Sequence, residues 1–192
     1  MVTPMTFPDW FTVRIPSFSA HLSNLAGVPN VQALQVGAYT GDASVWLLDN
    51  ILTGPGARLI DVDPWTGTAN EGIHGALDWG EVYDHYRSRT RGRRVLSVRL
   101  GSDQFFDMMV PGPNIFDFVY VDGDHRTEQV KRDILNADRV LKIGGILGLD
   151  DYVWNAGHDD VPKHAIDWFF AEHGERYVVL EHSVQVWARR IA

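Results

Sequence analysis

A chain of 192 residues, 45% hydrophobic and 22% charged, can bury the core of one domain and has the composition of a globular protein. Its formal charge of −8, from 17 basic and 25 acidic side chains, argues against a binder of nucleic-acid phosphates, which needs a basic face. The lack of cysteine excludes disulfides, thiolate zinc sites and cysteine nucleophiles.

In chain order, residues 1–30 read as an N-terminal arm, with Pro4, Pro8 and Pro16 set among apolar residues such as Trp10 and Phe11. The arm is expected to pack on the domain or on a second copy of the chain, which hints at a homodimer. It starts with no charged-then-apolar leader, and no run of the chain is long enough to span a bilayer, so a cytoplasmic location with no membrane partner is expected. A short helix is expected from Ser17 to Leu25, stopped by Gly27 and Pro29. Residues 31–192 read as one domain. Strand Val31–Val36 meets Gly37-Ala38-Tyr39-Thr40-Gly41, and a helix follows through Leu52, with Val45, Leu48, Ile51 and Leu52 on one face. After the Gly54-Pro55-Gly56 turn, a second strand, Arg58–Val62, ends at Asp63-Pro64-Trp65. Thr66 to Gly75 has no period and reads as a loop able to line a site.

A helix over Leu77–Arg89, a strand over Val95–Leu100 and a short helix over Asp103–Met109 come next. Arg87, Arg89, Arg91, Arg93 and Arg94 cluster at this point and read as a solvated helix end rather than a nucleic-acid patch. Strand Ile115–Val121 follows, then a helix over Thr127–Leu141. Gly144-Gly145 turns the chain into strand Ile146–Leu149. A last helix, Val161–Glu172, precedes two strands, Tyr177–Leu180 and Val184–Ala188, which read as an antiparallel pair at a sheet edge. Repeated β/α alternation predicts the α/β class: a twisted, mostly parallel sheet with helices on both faces.

Two apolar strands end in acids: Val121 runs into Asp122, Asp124 and His125, and Leu149 runs into Asp150 and Asp151. Open α/β sheets bind ligands at that edge, and a carboxylate buried there must be paired, hydrogen-bonded or metal-bound. The first strand ends in Gly37-x-x-x-Gly41, a turn whose glycines admit a ligand close to the backbone. Tyr39 stands where the dinucleotide fingerprint needs its second glycine, which disfavours a nicotinamide cofactor. Asp63 is placed to hold the ribose hydroxyls of a nucleoside; a turn cap is the other reading, and Asp61 competes for the role.

Taken together, Val36-Gly37-Ala38-Tyr39-Thr40-Gly41-Asp42, Asp63 and the strand-end acids resemble a class I S-adenosylmethionine-dependent methyltransferase. More narrowly, Asp122-Gly123-Asp124-His125 and the stretch from Gly144 to Asp150-Asp151-Tyr152-Val153-Trp154 resemble the macrocin O-methyltransferase-like enzymes and the metal-dependent catechol and caffeoyl-CoA O-methyltransferases. The resemblance implies a Rossmann-like, doubly wound, seven-stranded sheet of order 3-2-1-4-5-7-6 with the last strand antiparallel. It implies that Gly37, Ala38, Tyr39 and Gly41 flank the methionine part of S-adenosylmethionine, with Asp42 and Ser44 opening the next helix beside it. Asp63 would hold the ribose, Gly101 and Ser102 would lie along the adenine edge, and Asp122 would border the cofactor. Gln35 stands where many such enzymes carry an acid.

The resemblance also implies Mg²⁺ on Asp122, Asp150 and Asp151, an oxygen set that suits a hard cation, and His125 as general base toward a small-molecule hydroxyl. Asp124 or His125 as caps of the following helix, and an acid set that serves the cofactor without metal, are the plainer readings. Trp65, Trp79 and Trp154 can wall a substrate pocket, at least one of them being ordinary core, and His158 either edges the site or lies in a surface loop. The expected activity is methyl transfer to a hydroxyl. The rival is a non-catalytic module that holds a nucleoside or a partner on the same fold.

Overall fold

The computed structural model describes residues 7–67, 77–108, 112–155 and 157–192. The expected loop after Thr66 lies almost wholly outside these residues, as do Pro4 and the end of the helix expected to reach Met109. Seven strands form one sheet: β1 (Gln32–Val36), β2 (Arg58–Val62), β3 (Val95–Val98), β4 (Phe116–Val121), β5 (Leu141–Leu149), β6 (Tyr177–His182) and β7 (Val186–Arg190). Their order is β3-β2-β1-β4-β5-β7-β6, as the resemblance implied. The strands β1 to β5 pair in parallel, and β7 runs antiparallel to both β5 and β6. The helices are α1 (Ile15–Leu22), α2 (Asp42–Asn50), α3 (Trp79–Thr90), α4 (Ser102–Met108), α5 (Thr127–Val140) and α6 (Pro162–His173).

The apolar alternation of β1 and β4 separates two cores. Leu34, Val36, Val119 and Val121 face α5 and α6 through Ile134, Ala137, Ile166 and Phe169. Ala33, Phe118 and Tyr120 face α1 and α2 through Phe18, Leu22, Leu47 and Leu48. Phe18 is fully buried, its ring edge-on to Tyr120 at 4.8 Å and to Trp187 at 4.9 Å. Burial of such a side chain stabilises by roughly 1.5–3 kcal/mol, so the segment ahead of the sheet is anchored to it. Helix α1 starts at Ile15, two residues before the expected start, because Pro16 at the first turn has no N–H to lose there.

One boundary is corrected. The sequence placed a Gly144-Gly145 turn before a strand at Ile146, but α5 ends at Val140 and β5 begins at once with Leu141. Gly144 takes φ +85 inside the strand, and the pairing with β4 shifts register between Phe116 and Phe118. Such a bulge accommodates an extra residue without ending the strand.

Candidate active site

The sheet order reverses between β1 and β4, and both strands end at the same edge. Gly37 stands at this crevice with φ +86, its N–H donating to the Val62 carbonyl at 2.8 Å. The Asp122 N–H donates to the Val36 carbonyl at 2.8 Å, and the Asp122 carbonyl packs directly on Gly37 Cα, where a Cβ would overlap it. The glycine turn and the first strand-end acid therefore form one joint.

Asp63 organises this turn. Its Oδ2 accepts from the N–H groups of Ala38 at 2.9 Å and Tyr39 at 3.0 Å, and its Oδ1 accepts from Trp65 N–H at 2.7 Å. Burial raises its pKa against the lowering effect of those three bonds. The acid is at the expected place, with both oxygens already engaged by backbone. Asp61 does not compete for a ligand: it is wholly buried, accepts from the Tyr86 hydroxyl at 2.8 Å, and is pushed by burial up to about 7. Tyr39 lies at φ +47 with its ring stacked on Trp10 at 4.6 Å and edge-on to Trp79 at 6.1 Å. The Gln35 Nε2 donates to the Gly37 carbonyl at 2.8 Å, while its buried Oε1 has no partner among the described residues.

Other expected cofactor residues are placed less simply. Gly41 is the N-cap of α2 at φ +81, and a Cβ there would meet the Tyr86 ring at 2.8 Å, so packing as well as ligand access requires glycine. Asp42 sits in the first turn of α2, where it accepts from the Thr40 hydroxyl at 2.6 Å and pairs with Arg89. Ser44 is fully buried, so its hydroxyl faces the interior. Gly101 accepts the Phe105 N–H at the start of α4, and Ser102 Oγ accepts from Gln129 of α5 at 3.2 Å.

The acidic edge is compact. His125 Nε2 lies 2.9 Å from Asp151 Oδ2, and its ring packs on Trp154 at 4.5 Å. Asp122, His125 and Asp151 each offer one ligand atom within 4.8 Å of the others. Asp151 holds φ +59, a costly conformation for a non-glycine residue that recurs at functional sites. Burial and then the charges of Asp150 and Asp151 push the Asp122 carboxyl well above the usual carboxylate range, against the pull of His125 and Arg14. Asp150 is also raised, by burial first and Asp151 second.

The donor set fits a divalent cation in kind, but its members differ from those expected. Asp150 turns toward Arg14 and Tyr120, and His125 takes its place beside Asp122 and Asp151. Neither Asp124 nor His125 caps α5: its N-cap is Arg126, Asp124 pairs with that arginine, and Asp160 accepts the Thr127 N–H at 2.7 Å. Trp65 is core, whereas Trp154 borders the site and His158 lies exposed in a loop. Arg14, Tyr120 and Gln185, which donates to the Tyr120 hydroxyl at 2.8 Å, were missed. Tyr120 had a faint signal as a polar-tipped side chain at the apolar end of its strand; Arg14 had none.

No curated protein matches the chain by sequence. Among solved structures, the chain is similar to the O-methyltransferase TomG of Streptomyces achromogenes, involved in tomaymycin synthesis and solved with its bound S-adenosylmethionine. Identity is 17% over 98% of this chain and 83% of that one, with a TM-score of 0.65. It is similar to cofactor-bound Rv0187 from MTB, with 19% identity over 98% and 84% of the two chains and a TM-score of 0.63. It is also similar to the O-methyltransferase of Bacillus cereus in complex with SAH, with 16% identity over 97% and 93% of the chains and a TM-score of 0.60. These likenesses show the fold. A family model described as a methyltransferase domain matches residues 34–152, more than half of the sequence and the whole span from the glycine turn to the acidic edge, and the chain belongs to that methyltransferase family.

Proposed function

We propose that the protein transfers the methyl group of S-adenosylmethionine to a hydroxyl of a small molecule. The observation that carries this reading is the joint at the switch point: Gly37 of the cofactor turn packs on the Asp122 carbonyl, so the turn and the acid–histidine edge adjoin. The TomG and Bacillus cereus enzymes, named as O-methyltransferases, support the same acceptor atom. The bound cofactor supplies an electrophilic methyl, so the chain's own work is positioning and proton removal. Asp63 fixes the turn at Ala38 and Tyr39, and Gln35 Oε1 is a buried acceptor available to an ammonium group. His125 takes the hydroxyl proton. Asp151, at 2.9 Å, orients its ring and is the counter-charge for the imidazolium that forms. A divalent cation such as Mg²⁺ would be held by the carboxylates of Asp122 and Asp151, with Asp150 joining if it released its present partners, and His125 beside them would keep its lone pair for the proton. Bound there, it would lower the pKa of a substrate hydroxyl.

The acceptor is a small molecule rather than nucleic acid. Three of the five clustered arginines are tied down within the fold: Arg89 to Asp42, Arg93 to Asp49, and Arg94 to the carbonyls of Leu52 and Gly54. No helix among the described residues is long and apolar enough to cross a membrane, and the reading keeps the cytoplasmic setting expected from the sequence. The test is calorimetric titration of S-adenosylmethionine and S-adenosylhomocysteine. Binding of both in the micromolar range is expected, and no binding of either would end the reading. With an accepted hydroxyl compound in hand, His125→Ala should lower kcat by about 10²-fold or more with little change in KM; a pure KM effect would remove the base. The non-catalytic alternative draws on the full engagement of both Asp63 oxygens by backbone. Cofactor binding with no methyl transfer to any of a panel of phenols, diols and sugars would favour it.

A further inference from the structure

The charge of the acidic edge is balanced from a distant part of the chain. Arg14 precedes α1 and lays its guanidinium on the end of β5, with Nη2 at 3.2 Å from Asp150 Oδ1 and Nε at 3.3 Å from Asp150 Oδ2. The same Nη2 lies 3.9 Å from Asp151 Oδ1. Asp150 also accepts the Tyr120 hydroxyl at 2.6 Å and the Asp151 N–H at 2.7 Å. An ionised carboxylate has about four lone-pair sites. Arg14 Nε and the Tyr120 hydroxyl take both sites of Oδ2 and the Asp151 amide one site of Oδ1, while the Nη2 charge stands 3.2 Å from the site that is left, so Asp150 is open to an ion only when a partner leaves. Tyr120 is buried and itself held by Gln185, and the amide is part of the main chain. Arg14 alone of the three can leave, its side chain being 21% exposed.

We propose that Arg14 is a tethered counter-cation that sets the divalent-ion affinity of this edge, keeping Asp150 out of the ligand set until the guanidinium swings away. This rests on reading the edge as a cation site. While Arg14 is seated, an ion has the carboxylates of Asp122 and Asp151 to bind, with the His125 imidazole beside them. It also feels the repulsion of a fixed positive charge that reaches both Asp150 and Asp151. Ligand number and ligand charge together tune such affinities over orders of magnitude. Arg14 also stands 3.9 Å from Oδ1 of Asp151, the carboxylate whose Oδ2 pairs with His125.

The experiment is calorimetric titration of Mn²⁺ into the full chain as wild type, Arg14→Gln, Arg14→Ala and Arg14→Ala/Asp150→Asn, with S-adenosylhomocysteine titrated in parallel. Both single variants should bind Mn²⁺ about tenfold or more tighter than wild type, and Asp150→Asn should remove that gain. Arg14→Gln keeps a donor for Asp150 and serves if the alanine variant does not fold. Equal affinity in wild type and the Arg14 variants, or a gain that survives Asp150→Asn, would overturn the role of Arg14 while leaving the metal reading intact. No Mn²⁺ binding in any of the four would overturn both, and the parallel titration would show separately whether the cofactor site stands.

Discussion

Gly37→Ala tests the joint on which the site is built. An added Cβ would fall inside the Asp122 carbonyl group, 2.5 Å from its carbon and 2.8 Å from Gly123 Cα. These are backbone atoms, so no rotamer change relieves the contact. The φ of +86 adds a second cost. A left-handed conformation disfavours a residue with a Cβ by about 1–2 kcal/mol, and a backbone overlap of this size belongs with the larger single-residue effects, so a total of about 3–5 kcal/mol is expected. Relief requires the ends of β1 and β4 to part, which breaks the Asp122 N–H to Val36 carbonyl bond. With a urea dependence of about 2–3 kcal/mol per molar, the unfolding midpoint should fall by about 1–2 M. Fluorescence-monitored urea unfolding reads the shift, with S-adenosylmethionine affinity measured alongside in zero urea. A destabilisation below about 1 kcal/mol, with cofactor affinity retained, would refute the claim that this contact fixes the turn against the acidic edge.

Two further substitutions probe the buried polar groups. Tyr120→Phe removes the hydroxyl that donates to Asp150 and accepts from Gln185, leaving both buried partners short of a bond. A loss of about 1–3 kcal/mol is expected in thermal or urea unfolding, and a neutral result would mean that the pair is satisfied in another way. Asp61 gives a pH dependence with a definite sign. Its carboxyl titrates at about 7 in the fold against an ordinary 3.8, so the folded state holds the proton more tightly than the unfolded chain. The stability it supports is present below pH 3.8 and is lost as pH rises toward about 7. Asp61→Asn keeps the shape, an acceptor for Tyr86 and the neutral form. The drop in urea midpoint between about pH 5 and about pH 7.5 should therefore be smaller in the variant than in wild type, and an unchanged drop would place the titration elsewhere.

Much of the fold was legible because its signals are local. The apolar run ending at Val121 and the turn from Gly37 to Gly41 mark the ends of β4 and β1 by hydrophobicity and punctuation alone. The sheet order came with the resemblance that these marks carry. Beyond the start of α1 and the Gly144-Gly145 bulge, boundaries shifted by a residue or two where neighbouring strands, rather than propensity, fix the register. The candidate site was legible as a set of residues but not as a set of bonds. That Asp122, Asp150, Asp151 and His125 gather at one edge follows from two parallel strands ending together.

Which of them face one another does not follow, because it depends on groups with no fixed spacing from them. Arg14 reaches Asp150 across 136 residues, Tyr120 reaches it across 30, and Tyr86 takes Asp61 out of contention from a helix 25 residues on. By itself, the sequence determined the class of fold, the edge at which chemistry can occur and the residue types delivered there, since these depend on periodicity and on where an apolar run must stop. Only the tertiary structure decided that Asp63 binds backbone, that Asp150 faces a guanidinium and that His125 pairs with Asp151. A carboxylate takes whichever donors packing brings within about 3 Å, and that choice is made through space.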